Sequence, residues 1–187
     1  MDNIKKKTLL TLARASIAEA VGVEYSLDTK TLLEENPWLE EQGASFVTLT
    51  TSGDRLRGCI GSIIAHRKLY EDIIHNAKSA AMDDPRFPSL TQKEFDGITV
   101  EVSILSEPEP LEYDSIEELK SKIRVGIDGV VLKYGVYQAT FLPQVWDQLP
   151  TFELFFSHLC QKAGMEADCL SRIPEILTYQ VEEYKED

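Results

Sequence analysis

The apolar positions at the start of the chain repeat with helical spacing. Leu9, Leu12, Ala13, Ile17 and Ala20 share one stripe, which predicts a helix over residues 2–21 that Gly22 ends. Asp28 is placed to cap a short helix over Thr29–Glu35, and Asn36-Pro37 stops it. Trp38 then reads as a lid over the core rather than a ligand platform. Residues 67–82 carry Leu69, Ile73, Ala77 and Ala80 on one face and predict another helix, broken by Asp83-Asp84-Pro85-Arg86-Phe87-Pro88. Thr91-Gln92-Lys93-Glu94 and Ser115-Ile116-Glu117-Glu118 both match a capping box, and the second opens a helix to about Arg124. Thr151 caps a helix over 152–163, with Phe152, Phe155, Phe156, Leu159 and Cys160 inward and Gly164 as its stop.

Between the helices the period changes from 3.6 to 2. Phe46-Val47-Thr48-Leu49-Thr50-Thr51 and Arg55-Leu56-Arg57-Gly58-Cys59-Ile60-Gly61 flank Ser52-Gly53-Asp54 and predict a hairpin. Ile98, Val100, Val102 and Ile104 alternate with polar residues as a half-buried strand. Asp128-Gly129 turns into Val130-Val131-Leu132-Lys133-Tyr134, and Gly135 turns again into a strand over 136–142, a second hairpin that Pro143 ends. Residues 176–183 read as one last strand with Leu177, Tyr179 and Val181 on its buried face. Glu107-Pro108-Glu109-Pro110 is a polar breaker, too short to be a domain linker. Hairpins mixed with separated helices define an α+β protein with a mainly antiparallel sheet flanked by helices.

The first hairpin concentrates the chemistry. Closed through a type II′ turn at Gly53-Asp54, it would put Leu56, Gly58 and Ile60 on an apolar face opposite Thr51, Leu49 and Val47. Arg55, Arg57, Cys59 and Gly61 would share the polar face, with Thr50 and Thr48 opposite Arg57 and Cys59. Two guanidiniums beside a thiol would favour its thiolate form. Gly58 and Gly61 would let a ligand or another backbone approach the sulfur. The plain alternative is a tightly packed hairpin whose cysteine is a small buried hydrophobe. Asp84 and Arg86 could pair with one another or reach outward. His66 and His75 are the histidines nearest in sequence, both readable as surface residues. Neither Cys59 with His66 nor His75 with Asp72 has the spacing of a zinc site, so no metal is assigned.

Composition narrows the classes of function. The 187 residues hold 32 acidic and 19 basic side chains, a net charge of -13. That balance opposes general nucleic-acid binding and adsorption to anionic membranes. No apolar run approaches the ~20 residues that span a bilayer, and Arg14 interrupts the apolar stretch near the N-terminus. Three cysteines, at 59, 160 and 169, form no CxxC pattern. They are expected to be free thiols in a cytoplasmic protein, although a Cys160–Cys169 bridge is geometrically open to the chain.

Four stretches together carry a family likeness: Leu56-Arg57-Gly58-Cys59-Ile60-Gly61, Asp84-Pro85-Arg86-Phe87, Leu142-Pro143-Gln144-Val145 and Lys162-Ala163-Gly164. In this order and spacing the chain resembles the AMMECR-one domain family, called AmmeMemoRadiSam system protein A in prokaryotes, over nearly its whole length. The resemblance implies one α+β domain over residues 1–187, in two unequal lobes with a cleft, both termini in the larger lobe. It implies an enzyme or enzyme partner without a settled reaction, beside a Memo-like protein, itself similar to extradiol dioxygenases, and a radical SAM protein. It names no cofactor. By motif it points to Arg57, Gly58, Cys59 and Gly61 as site residues, with Asp84 and Arg86 beside them. Where the family carries a tryptophan after the Lys-Ala-Gly segment, this chain has Asp168-Cys169-Leu170, which leaves a role for that aromatic without a carrier. Three readings follow. In an enzyme, Cys59 is the nucleophile and Arg55 or Arg57 holds a small anionic substrate. In a binding module, the arginines cradle a carboxylate or phosphate. In a scaffold, an exposed Trp38, Trp146 or Phe-rich helix meets partner proteins.

Overall fold

The computed structural model describes residues 2–187. The chain divides into two compact units, one running through Leu105 and taking in Glu182–Asp187, the other Ser106–Val181.

In the first unit, α1 (Asp2–Val21) and α3 (Leu69–Met82) pack on a sheet of β1 (Ala44–Thr51), β2 (Arg55–Gly61), β3 (Thr99–Leu105) and β8 (Val181–Lys185), in the order β2-β1-β3-β8. Strand alternation turns Val47, Leu49, Val100 and Val102 onto the helices, and each is fully buried. Burial of each such side chain stabilises the fold by roughly 1.5–3 kcal/mol. The short helix α2 (Thr29–Glu35) starts where its cap requires, because the Asp28 carboxylate accepts from the N–H groups of Lys30 and Thr31. The Thr91 capping box forms too, but it opens a 3-10 turn, Gln92–Gly97.

In the second unit, α4 (Ile116–Lys122) and α5 (Phe152–Lys162) accompany a sheet of β4 (Glu109–Pro110), β5 (Gly129–Tyr134), β6 (Tyr137–Phe141) and β7 (Glu175–Tyr179), ordered β4-β7-β5-β6. The phenylalanines of α5 are core: Phe155 stacks on Trp146 with ring centroids 3.6 Å apart, and the Trp146 indole N–H donates to the Asp128 carbonyl. The Phe-rich helix and Trp146 are therefore not an exposed docking face.

Three expectations are corrected here. The run 176–183 is two strands, broken at the exposed Gln180: β7 joins the second sheet and β8 the first, and Ile176 and Tyr179 are the buried positions of β7. Residues 107–110 are more than a breaker. The chain changes unit just ahead of them, and Glu109–Pro110 pairs with β7. Cys160 and Cys169 are bridged and buried, not free. Gly164, with φ +88°, reverses the chain after α5, and the 3-10 turn Cys169–Arg172 then brings the two Cα atoms to 5.7 Å, within disulfide reach. The case for a reducing compartment, which rested on three free thiols, loses that premise. Among the described residues no helix is long and apolar enough to cross a membrane.

Candidate functional site

The β1–β2 hairpin sets the geometry around Cys59. Its inner half pairs as expected, Val47 with Ile60, Thr48 with Cys59 and Leu49 with Gly58. Beyond Leu49 the register shifts, so that Thr50 faces Leu56 and Thr51 faces Arg55, and Arg57 is the extra residue of a β-bulge. The loop is therefore the three residues Ser52, Gly53 and Asp54, the last two left-handed with φ +76° and +54°, not a two-residue type II′ turn. The bulge also overturns the face assigned to Leu56, which is 41% exposed.

Thr48 and Cys59 sit directly opposite one another, and the Thr48 hydroxyl donates to the Cys59 sulfur at 3.2 Å. Cys59 turns its own backbone groups outward from the free edge of the sheet. Its N–H donates to Asp84 Oδ2 at 2.9 Å, and its carbonyl accepts from Arg86 Nη2 at 3.4 Å. Asp84 and Arg86 are locked together by a 2.7 Å ion pair, so the Asp-Pro-Arg-Phe loop closes the edge strand at this residue. The pairing foreseen between Asp84 and Arg86 forms, in service of the hairpin.

The electrostatics differ from the expected activated thiolate. Burial pushes the Cys59 thiol above its ordinary value; the Thr48 hydrogen bond and Arg86 oppose this, while Asp84 and Glu101 add to it. Neither hairpin guanidinium supplies the correction. Arg57 donates to both carboxylate oxygens of Glu94, at 2.9 and 3.3 Å, and lies over the Phe87 ring. Arg55 is exposed and donates to the Ser52 carbonyl. The glycines do not hold space for a ligand either. A Cβ on Gly58 would fall closer than 3.0 Å to the Ala80 carbonyl of α3, and one on Gly61 would enter the Phe46 ring. His66 and His75 are both exposed. Among the described residues no group of His, Cys, Asp and Glu side chains could hold a metal ion.

Glu101, which no motif or spacing in the chain singles out, completes the site. Thr48 also pairs with Glu101 on β3, so Cys59, Thr48 and Glu101 form a row across three strands on the face turned away from α1 and α3. Burial raises the Glu101 carboxyl above its usual range, with Glu183 and Asp54 adding to the shift and Lys185 opposing it. The hairpin pattern already sets Thr48 opposite the thiol, whereas alternation marks Glu101 only as a polar-face residue and the β1–β3 register brings it into the row.

Asp84 gives a direct test of the edge closure. Arg86 chiefly, with the N–H groups of Cys59 and Arg86, holds its carboxyl far below the ordinary value of 3.8, against the opposing effect of burial. Arg57 and Thr91 likewise pull Glu94 down to about 2. A carboxylate with a depressed folded pKa stabilises the fold above its unfolded value, and that contribution disappears as pH falls through the folded one. Asp84→Asn is expected to cost about 2–3 kcal/mol at pH 7. The penalty should shrink as pH drops below about 3.8, in urea titrations of both proteins across pH 2–7.

An α+β chain with a thiol on an edge-closed hairpin and a carboxyl one strand further on is the class that fold and site define. The chain belongs to the AMMECR1 family, whose match runs over residues 10–184. A Methanosarcina mazei protein is 40% identical over 187 residues, covering 98% of this chain and 88% of the relative. One from Methanocaldococcus jannaschii is 40% identical over 171 residues, covering 86% and 83%. The crystal structure of an uncharacterised Pyrococcus horikoshii protein superposes with a TM-score of 0.84 at 36% identity, covering 96% of this chain and 90% of that one.

Proposed function

We propose that the chain is an enzyme acting on a small molecule at the outer face of the first sheet, with Cys59 as nucleophile. Glu101 takes the thiol proton through the intervening Thr48 hydroxyl as the sulfur adds to a carbonyl carbon of the substrate, whose C=O π pair moves onto its oxygen. The observation that supports this is the Cys59–Thr48–Glu101 row, in which a hydroxyl already donates to the sulfur and a carboxyl of raised proton affinity lies one strand beyond that hydroxyl. A thiol raised by burial stays protonated until a base removes its proton, which is the task this reading gives Glu101. Arg57, neutralised by Glu94, then orders the wall of the site instead of binding a substrate anion.

Alkylation by iodoacetamide tests the assignment cleanly, because Cys59 is the free cysteine and the other two are bridged. Glu101 acts on the sulfur in two opposed ways. As a mere negative charge it suppresses the thiolate, so Glu101→Gln would speed alkylation. As a base it assists, and Glu101→Gln would slow alkylation at pH 7 by about tenfold or more. Slowing supports the proposal; acceleration, or a thiol inert in the native protein, returns Cys59 to a packing role.

A further inference from the structure

A second site lies elsewhere in the first unit, between the first turn of α1, the 3-10 turn Pro37–Glu40 and the ends of β1 and β3. It is a cavity of about 490 Å³, within the range of small-ligand pockets. Its apolar walls are Trp38, Leu69, Ile104 and Leu105, and Ile4 stands exposed at its rim. Its charged groups are Lys5 and Glu41. Lys5 is already neutralised by a 2.7 Å ion pair with Glu182, and its ammonium lies 5.9 Å from the Trp38 ring and 5.4 Å from Tyr184. The neighbouring acid, Glu40, is paired with Lys68. Among the described residues the Glu41 carboxylate has no ion pair or hydrogen bond, and the Gln42 amide beside it is equally uncommitted.

Hydrocarbon walls, an indole face and one unpaired carboxylate are the receptor chemistry of an alkylammonium. The chain displays the compatibility itself, since the Lys5 alkylammonium already lies across the same indole. We propose that this cavity binds a small aliphatic amine, its chain against Leu69, Ile104 and Leu105 and its ammonium on Glu41, with Gln42 taking a second N–H. The site is independent of the Cys59 face and of the reaction proposed there.

Hexylamine, hexanol and hexanoate are the probes, titrated against the full chain by calorimetry and by Trp38 fluorescence. Trp146, at 2% exposure, contributes a constant background. Hexylamine should bind about tenfold more tightly than hexanol, and hexanoate more weakly than either. Glu41→Gln should reduce hexylamine to the affinity of hexanol, while Glu40→Gln, which removes an equal charge next door, should leave it unchanged. The proposal is overturned if hexanol or hexanoate matches hexylamine, if Glu40→Gln weakens the amine as much as Glu41→Gln does, or if none of the three binds.

Discussion

Gly58→Ala is expected to cost the first unit about 3 kcal/mol or more, read as a fall in the urea midpoint. The added methyl meets the Ala80 carbonyl oxygen, a backbone atom of α3, closer than 3.0 Å. No rotamer change relieves that clash, so either the helix shifts from the sheet or β2 distorts. α3 also packs against β1 and α1, so its displacement disturbs the core on both sides. Gly97→Ala supplies the control. Its added Cβ meets nothing within 4 Å, and the substitution should stay within about 0.5 kcal/mol of the parent. A Gly58→Ala protein of unchanged midpoint that has lost the Cys59 chemistry would restore the glycine to ligand approach. A glycine at this strand position admits close approach by a ligand or a backbone, and the partner is the backbone of α3.

What was legible in the chain was local. Asp28, Ser115 and Thr151 each cap the helix their neighbours predict, because a side chain accepting from an N–H two or three residues on is a contact within one turn. Hairpin pairing was legible as far as Leu49 opposite Gly58, where ordinary alternation holds, and failed at Arg57, where one extra residue shifts the count. The split of 176–183 into two strands has no Gly or Pro to announce it. Each half takes its place from the sheet it pairs with, which is tertiary information. The disulfide was visible as a possibility and was decided by the reversal at Gly164.

The site suffered most from the same limit. Two arginines around a cysteine predict an activating charge only as far as proximity along the chain measures it. Glu94 lies 37 residues from Arg57 and removes one of those charges, and Glu101 reaches the row of Cys59 through β1. The sign of the thiol shift follows chiefly from burial, which tertiary packing sets and no spacing in the chain specifies.

Asp72 makes the same point with a larger expected effect. On the helical pattern it is an acid in the first turn of α3, a position that favours negative charge near the helix N-terminus and is usually solvated. In the fold it is 0% exposed. Its Oδ2 accepts from the Ser45 N–H at 2.8 Å, the Ser45 hydroxyl at 2.7 Å and the Asn76 amide at 3.0 Å. Its Oδ1 accepts from the Ser62 hydroxyl at 2.7 Å and lies 3.3 Å from Arg67 Nε. One carboxylate thereby ties α3 to the start of β1 and to the chain leaving β2. Asp72→Ala would strand these buried donors, and Asp72→Asn would turn an N–H₂ toward groups that also donate. Each is expected to cost about 3–5 kcal/mol, with the m-value unchanged and the Ser45 amide losing hydrogen-exchange protection. The exposed pair Lys30–Glu34, four residues apart on α2, is the contrast: its removal should stay below about 0.5 kcal/mol. An Asp72→Asn protein within 1 kcal/mol of the parent would mean that Ser45, Ser62 and Asn76 satisfy one another without the carboxylate, and that its charge does not hold α3 to the sheet.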